Sequence, residues 1–187
     1  MNNNTLKEAA ELFNTTEKWN AFVELVNQQD NLKNMWWNEL QENVYNRGTA
    51  PDWTVYKYHG IEKIIWYVSD AQQGQSSTSI YFDGEHICIY FYSGVNPEEA
   101  QKLIEKNKER FQIIFDQFDN VEKGGKYLLW EKFKFRDGNK DILGADKLAW
   151  YAGNRTEEFA NQLVERIQKL QTTEITNLFR EINENCK

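Results

Sequence analysis

The chain has few of the residues that build special sites: its 187 residues include two cysteines, two prolines and two histidines. Cys88 lies in an apolar run and Cys186 is next to last, so a disulfide framework is not expected, and both thiols fit a reducing cytoplasm. His59 and His86 are too few for a histidine-rich metal site, and no cysteine pair has zinc spacing. We therefore expect neither a metal nor a cofactor.

Long hydrophobic runs are also missing. The longest apolar run, Ile87 to Tyr92, has the length of a strand, whereas a membrane helix needs about 20 apolar residues. The first residues, Met-Asn-Asn-Asn-Thr, have neither the basic nor the apolar region of a signal peptide. These absences predict a cytoplasmic protein that has no membrane partner.

The composition is that of a folded, acidic domain. Apolar residues make up 40% of the chain and aromatic residues 14%, which is enough for a sizeable core, and the formal net charge is −7. We expect a single domain over residues 1–187, with a helical extension over 1–30, a core over 32–170 and a helical tail over 171–187. The negative charge disfavours non-specific binding to nucleic acid and suits a basic partner.

The order of elements predicts an α+β fold. Terminal helices flank a mainly antiparallel sheet of four to six strands, and one long helix over residues 97–118 is expected to pack on that sheet. Asn96 and Pro97 are favourable residues for the start of this helix. Asp83-Gly84 lies between alternating strands and predicts a type I′ hairpin turn that pairs Phe82 with Glu85.

The pleat of this hairpin separates its side chains into two faces. The predicted core face carries Ile80, Phe82, Ile87, Ile89 and Phe91. The other face carries Tyr81, His86, Cys88, Tyr90 and Tyr92. Two alternatives follow for this second face. The terminal helices or a second subunit cover it, or else Tyr81, His86, Tyr90 and Tyr92 form a shallow recognition surface, because tyrosine offers a large rigid ring with a polar tip.

A second candidate surface lies on a strand predicted over Lys126 to Phe135. Alternation places Tyr127, Leu129, Phe133 and Phe135 on one side of it. The opposite side carries a basic stripe with an embedded tryptophan, namely Lys126, Trp130, Lys132, Lys134 and Arg136. Such a stripe could stack on a base and neutralise phosphates. Alternatively, these are the solvated lysines that protect an edge strand from pairing.

No catalytic constellation is found in the sequence. Gly124-Gly125-Lys126 lacks the further glycine and the Ser or Thr of a phosphate-binding loop. The order of helices and strands is similar to that of a restriction-endonuclease-like core, but the Asp and Glu-x-Lys that hold its Mg²⁺ are missing. Cys88 with His86 is not a catalytic dyad, because Cys88 is flanked by Ile87 and Ile89 and is expected to be a buried thiol.

The middle and end of the chain resemble a bacterial domain of unknown function. In longer proteins this domain often follows a restriction-endonuclease-like nuclease module, and it also occurs alone. The resemblance covers about residues 32–170. It is carried by Met35-Trp36-Trp37-Asn38-Glu39-Leu40, the strands Ser79–Phe82 and Ile87–Tyr92, the helix Leu103–Phe111, the stretch Leu128-Leu129-Trp130-Glu131-Lys132-Phe133, Trp150 and a last amphipathic helix. The resemblance implies a role beside nucleic-acid-processing or defence proteins.

Three functions are compatible with these patterns. The first is a non-enzymatic interaction domain that binds a protein, or a second copy of itself, through the tyrosine-rich sheet face. The second is an accessory nucleic-acid-binding module that uses the basic stripe. The third is an acidic immunity or defence-inhibitor protein that presents carboxylates to a basic partner.

Overall fold

The computed structural model describes residues 3–58, 61–70, 77–119 and 125–187, and for residues 3–6 and 9 it describes the backbone alone. His59, Gly124 and most of the segment between Asp70 and Ser79 lie outside these ranges. The described helices are α1 (Asn3–Leu12), α2 (Thr16–Asn27), α3 (Gln29–Asn46), α4 (Pro97–Lys106), α5 (Lys108–Phe115), α6 (Ala145–Asn154), α7 (Thr156–Gln168) and α8 (Thr173–Asn185). The described strands are β1 (Trp53–Lys57), β2 (Ile64–Val68), β3 (Thr78–Phe82), β4 (His86–Phe91), β5 (Tyr127–Lys132), β6 (Phe135–Asp137) and β7 (Lys140–Ile142).

The strands form a five-stranded antiparallel sheet and a separate hairpin. Strands β1 to β5 follow one another in the sheet in chain order, and β6 pairs with β7. The predicted α+β fold with a mainly antiparallel sheet of four to six strands is confirmed. Because each strand pairs with the next along the chain, β1 and β5 are the two edges of the sheet.

The main core lies between one face of this sheet and the helices. Helices α3 to α8 all contribute buried apolar residues to a cluster that includes Ile80, Phe82 and Ile89 of the sheet. Helix α8 contacts β2 and β3, and within it the ring of Phe179 lies 5.4 Å from that of Trp53. The segment that the sequence suggested as a helical tail is therefore part of the core.

The β3–β4 turn differs from the prediction. Phe82 pairs with Ile87 rather than with Glu85, so the register is shifted by two residues. A type I′ turn needs positive φ at both central residues, but Gly84 alone has it, with φ +91°. The Asp83 carboxylate accepts the backbone N–H groups of Glu85 and His86 at 3.0 and 2.6 Å, which holds Asp83 before the turn rather than within it.

The prediction of a single long helix over residues 97–118 is wrong in one respect. The segment forms two helices, α4 and α5, which are separated at Asn107. The Asn107 side chain donates to the carbonyl oxygen of Leu103 at 2.9 Å, and its backbone leaves the helical region at φ −119° and ψ 35°. Asparagine competes in this way with helical hydrogen bonding, which explains the break. The predicted N-terminal cap is confirmed, because Asn96 accepts the backbone N–H groups of Glu98 and Glu99.

The single strand predicted from Lys126 to Phe135 is also divided. Strand β5 ends at Lys132, and β6 begins at Phe135 in the separate hairpin. A bulge between Ile89 and Tyr90 on the β4 side leaves Leu128 as the extra residue of β5. Bulges of this kind are common at sheet edges, because they twist the edge away from further pairing.

Replacement of Gly84 by alanine is expected to destabilise the fold. A Cβ atom there would lie 2.6 Å from Glu62 Cγ and 2.9 Å from Glu62 Cβ, in addition to the cost of positive φ. We expect Gly84→Ala to lower the free energy of unfolding by roughly 2–4 kcal/mol in urea denaturation. Gly138→Ala is the matched control, because Gly138 has φ +59° with no atom near its Cβ position; it should cost about 1 kcal/mol. Equal losses for both variants would contradict the steric argument.

Candidate binding face

The side of the sheet that points away from the main core carries an aromatic layer, which we call the tyrosine face. The strand register places alternate residues of all five strands on it. Its described residues are Thr54, Tyr56, Tyr58, Lys63, Ile65, Tyr67, Ser79, Tyr81, His86, Cys88, Tyr90, Tyr92, Tyr127, Trp130 and Lys132. The predicted division of the hairpin into a core face and a tyrosine face is confirmed, because the register shift of two residues preserves the pleat.

Strand residues cover one another on this face. Ile65, Tyr81 and Cys88 are buried beneath partly exposed rings, and the described members of this cluster all come from strands or strand ends. Its partly buried members are Tyr58, Tyr67, Tyr90, Tyr92 and Trp130. Helices α3 to α8 bury their apolar residues in the other cluster, on the opposite side of the sheet.

The rings interlock edge to face. Tyr90 lies at the centre, with ring centroids 4.6 Å from Tyr92 and 4.8 Å from Tyr127, at interplanar angles of 67° and 69°. Tyr56 and Tyr58 make a similar pair at 5.0 Å and 82°. In each pair the edge of one ring packs against the face of the other, which restrains both rings. The layer is therefore a continuous and ordered surface.

Tyr127 reaches this face because of the bulge in β5. Simple alternation predicts Tyr127 on the same side as Leu129 and opposite to Trp130, and that prediction is wrong. The extra residue, Leu128, reverses the alternation, so Tyr127 pairs with Tyr90 while Leu128 and Leu129 are both buried. The sequence contains no local signal for a bulge at this position, and Tyr127 was therefore missing from the predicted face.

Tyr56 was missing from the candidate residues for a different reason. It lies at β1, outside the hairpin and the Lys126–Phe135 strand from which the two candidate surfaces were predicted. Tyr56 is 41% exposed and Tyr127 is 37% exposed, so the two most accessible rings of the described tyrosine face lie on the two edge strands. Extending the alternation through Trp53 to Tyr58 would have found Tyr56.

Charged groups lie at one end of the tyrosine face, near the β3–β4 turn. The Lys63 ammonium is 5.9 Å from the centre of the Tyr81 ring, and Lys132 lies opposite His86. His86 Nδ1 is 3.3 Å from both carboxylate oxygens of Asp83, and its ring packs against Trp130 at 4.9 Å. The other end of the face, at Thr54 and Tyr92, is bordered by Asp52 and Asp70, which pair with Arg180 at 3.6 and 2.6 Å.

Burial changes the acidity of the groups beneath this layer. Desolvation is the main cause that raises the pKa of Tyr81 above its ordinary value, followed by the Asp83 carboxylate. Desolvation also raises the pKa of Tyr92, to which the neighbouring Tyr58 hydroxyl contributes. The pKa of the Cys88 thiol is raised as well, mainly by burial, so Cys88 stays protonated and is a poor nucleophile.

The predicted basic stripe is not one surface, because three of its five residues, Lys132, Lys134 and Arg136, line a common cleft and the other two do not. Lys126 lies beside Asn96 and Pro97 at the start of α4, whereas Trp130 and Lys132 belong to the tyrosine face. Lys134 and Arg136 follow the break between β5 and β6, where they approach Asp119 at 3.5 Å and Asp141 at 3.7 Å. The bulge and the strand break are the physical reasons, because each interrupts the alternation on which the stripe depended.

A charged cleft of about 660 Å³ lies where the stripe ends. Among the described residues that line it, carboxylates are as numerous as cations. The cations are Lys132, Lys134, Arg136, Arg166 and Lys169, and the carboxylates are Asp116, Asp119, Glu131, Asp141 and Glu165. A cleft of balanced charge does not attract a polyanion, so it does not replace the lost stripe as a nucleic-acid site.

Arg166 contacts residues from three parts of the chain that line or border this cleft. Its guanidinium lies 2.7 Å from Glu131, donates to the carbonyl oxygen of Gln117 at 2.6 Å and lies 5.1 Å from the centre of the Phe118 ring. The side chains of Arg166 and Glu131 are both largely buried. These contacts join α7, β5 and the end of α5, which is a structural role.

A second exposed apolar surface lies on α2, where the described structure buries no residue. Trp19, Val23 and Val26 are exposed on it, and Phe22 packs against Phe13 at 4.4 Å. The rings of Phe13, Trp19 and Phe22 contact one another and are not part of the main core. Nothing in the contacts of α2 indicates what would cover it.

Comparison with known proteins gives no relative: no family model, curated protein or solved structure matches this chain. The resemblance to the bacterial domain of unknown function therefore stays a prediction. Of the helices in the described ranges, none combines the length and the apolar character needed to span a membrane.

The buried tyrosines predict a loss of stability at alkaline pH. Above about pH 10 an unfolded tyrosine releases its proton, whereas Tyr81 and Tyr92 keep theirs in the folded protein because their pKa values are raised. The unfolded state then binds fewer protons than the folded state, so the free energy of unfolding falls as the pH rises. Urea denaturation from pH 8 to about pH 11 should show this fall.

Tyr81→Phe isolates the contribution of one ring, because it keeps the packing and removes the ionisable group. We expect its stability to fall less steeply above about pH 10 than that of the wild type. Ultraviolet titration of the folded protein should show fewer ionising tyrosines than titration of the unfolded chain. Identical titrations in both states would show that the tyrosine layer is open to solvent.

Proposed function

We propose that this chain is a protein-binding domain and that the tyrosine face is its recognition surface. One observation carries the proposal: an ordered layer of aromatic side chains lies on the side of the sheet opposite to helices α3 to α8. An antiparallel sheet commonly packs one face on the core and exposes a polar face to water. Here the second face is aromatic instead.

The chemistry of the layer favours recognition of a protein. Tyrosine and tryptophan are enriched in the centres of protein interfaces. Their rings bury a large apolar area, while the tyrosine hydroxyl or the indole N–H keeps a hydrogen-bond partner. The rings of Tyr90, Tyr92 and Tyr127 already restrain one another. Little side-chain entropy is then lost on binding, which favours affinity.

The same geometry disfavours nucleic acid as the ligand. A base stacks on the open face of a ring, but rings in edge-to-face contact shield one another. Phosphates also need cations, and the described tyrosine face offers two lysines on a chain of net charge −7. The accessory nucleic-acid module is therefore the weaker alternative.

Capture from a nuclease-treated lysate of the source cells tests the proposal. The bait is the full chain, and the variant is Tyr56→Lys/Tyr127→Lys, which places two charges on accessible positions of the face. Unpaired charges in a buried interface are costly, so we expect the captured proteins to fall by about tenfold or more, as quantified by mass spectrometry.

The control is Met35→Lys, which introduces one positive charge at an exposed apolar position on α3, away from the tyrosine face. It should capture the same proteins as the wild type. Equal capture by the face variant and the wild type would contradict the proposal. Tight binding of single-stranded oligonucleotides at low salt, lost on Lys132→Glu, would favour the nucleic-acid module instead.

A further inference from the structure

We propose that the protein bound by the tyrosine face is a second copy of this chain, packed sheet against sheet about a two-fold axis. The inference rests on the function proposed above and names the partner. It concerns the described members of the face, from Tyr56 on β1 to Tyr127 on β5.

The shape of the tyrosine face suits packing against the same sheet of a second copy. The tyrosine face spans five antiparallel strands, and two sheets with the same twist pack face to face about 10 Å apart. Two identical sheets have matching twists by construction, and a two-fold interface uses the same patch on both copies. Aromatic side chains fill the space between two sheets, where each inner face normally contributes apolar residues.

Charge supports the same arrangement. The lysines on the described face, Lys63 and Lys132, both lie at the end near the β3–β4 turn. A two-fold axis that runs across the strands places this end over the Thr54 end of the other copy, where Asp52 and Asp70 pair with Arg180 at 3.6 and 2.6 Å. The strands are about 17 Å long, so like charges on the two copies lie beyond the Debye length of about 8 Å at physiological ionic strength.

The size of the face predicts a weak, concentration-dependent dimer. Five strands about 4.8 Å apart and about 17 Å long give on the order of 400 Å² for each copy, or about 800 Å² in total. Stable complexes bury about 1,200–2,000 Å², whereas transient ones lie below that range. We expect dissociation in the micromolar range or weaker, with exchange between monomer and dimer.

The salt dependence distinguishes a second copy from an anionic ligand held by the lysines. Each copy carries a net charge of −7, so two copies repel one another at long range, while the aromatic contact itself involves few charges. Added salt screens this repulsion, and self-association should strengthen. A nucleic acid or an acidic peptide held by Lys63 and Lys132 would instead bind less tightly as salt rises.

Sedimentation equilibrium of the full chain tests the inference at protein concentrations from about 10 to about 500 μM and at low and moderate salt. We expect the wild type to dimerise, more so at moderate salt. Tyr127→Lys and Tyr56→Lys should each weaken dimerisation by about tenfold or more, because each buries an unpaired charge in the interface. Circular dichroism confirms that each variant is folded.

The control is Val26→Lys on α2, which alters the other exposed apolar surface and should leave dimerisation unchanged. A dimer lost on Val26→Lys but kept in both tyrosine variants would place the contact on α2 and overturn the inference. A chain that stays monomeric at every concentration and salt would also overturn it. In that case the capture experiment still decides whether the face binds another protein, so the two proposals fail separately.

Discussion

The alternation of side chains along β3 and β4 determines which residues enter the main core and which form the tyrosine face. It sends Phe82 and Ile89 into a core that six helices cover and sends Tyr81 and Tyr90 to the opposite side of the same sheet. A shift of one residue would exchange the two sets and bury tyrosine hydroxyls beneath the helices, at the cost of unsatisfied polar groups. The shift of two residues that the turn imposes has no such effect.

This tolerance explains which parts of the structure could be predicted from the sequence. The alternation has period two, so Tyr81 and Tyr90 were assigned to the correct face although their predicted cross-strand partners were wrong. Turn chemistry was less informative, because Asp83-Gly84 fits more than one turn. The Asp83 carboxylate selects the observed turn through hydrogen bonds to the backbone of Glu85 and His86, which no pattern of apolar residues encodes.

Predictions failed where a single residue interrupted a regular pattern. Leu128 is the extra residue of a bulge, and it moved Tyr127 onto the tyrosine face and Lys126 away from Trp130. Asn107 divided one amphipathic helix into two without moving its apolar stripe out of the core. In the sequence, Leu128 fits the pattern of a strand and Asn107 fits the pattern of a helix, so neither residue marks the interruption. Bulges and breaks depend on tertiary contacts, so periodicity alone does not reveal them.

The residues beneath the aromatic layer show how a sheet can hold rings on an exposed side. Ser79 and Cys88 are small and buried, and they lie directly across from Tyr90 and Tyr81. Small side chains next to large ones leave room for a ring to lie over its neighbour. The layer is therefore dense although its described members include no helix residue. A thiol suits this position better than a charged or strongly polar group, because burial raises the pKa of Cys88 and keeps it neutral. The packing of the face on itself therefore orders its rings as part of folding.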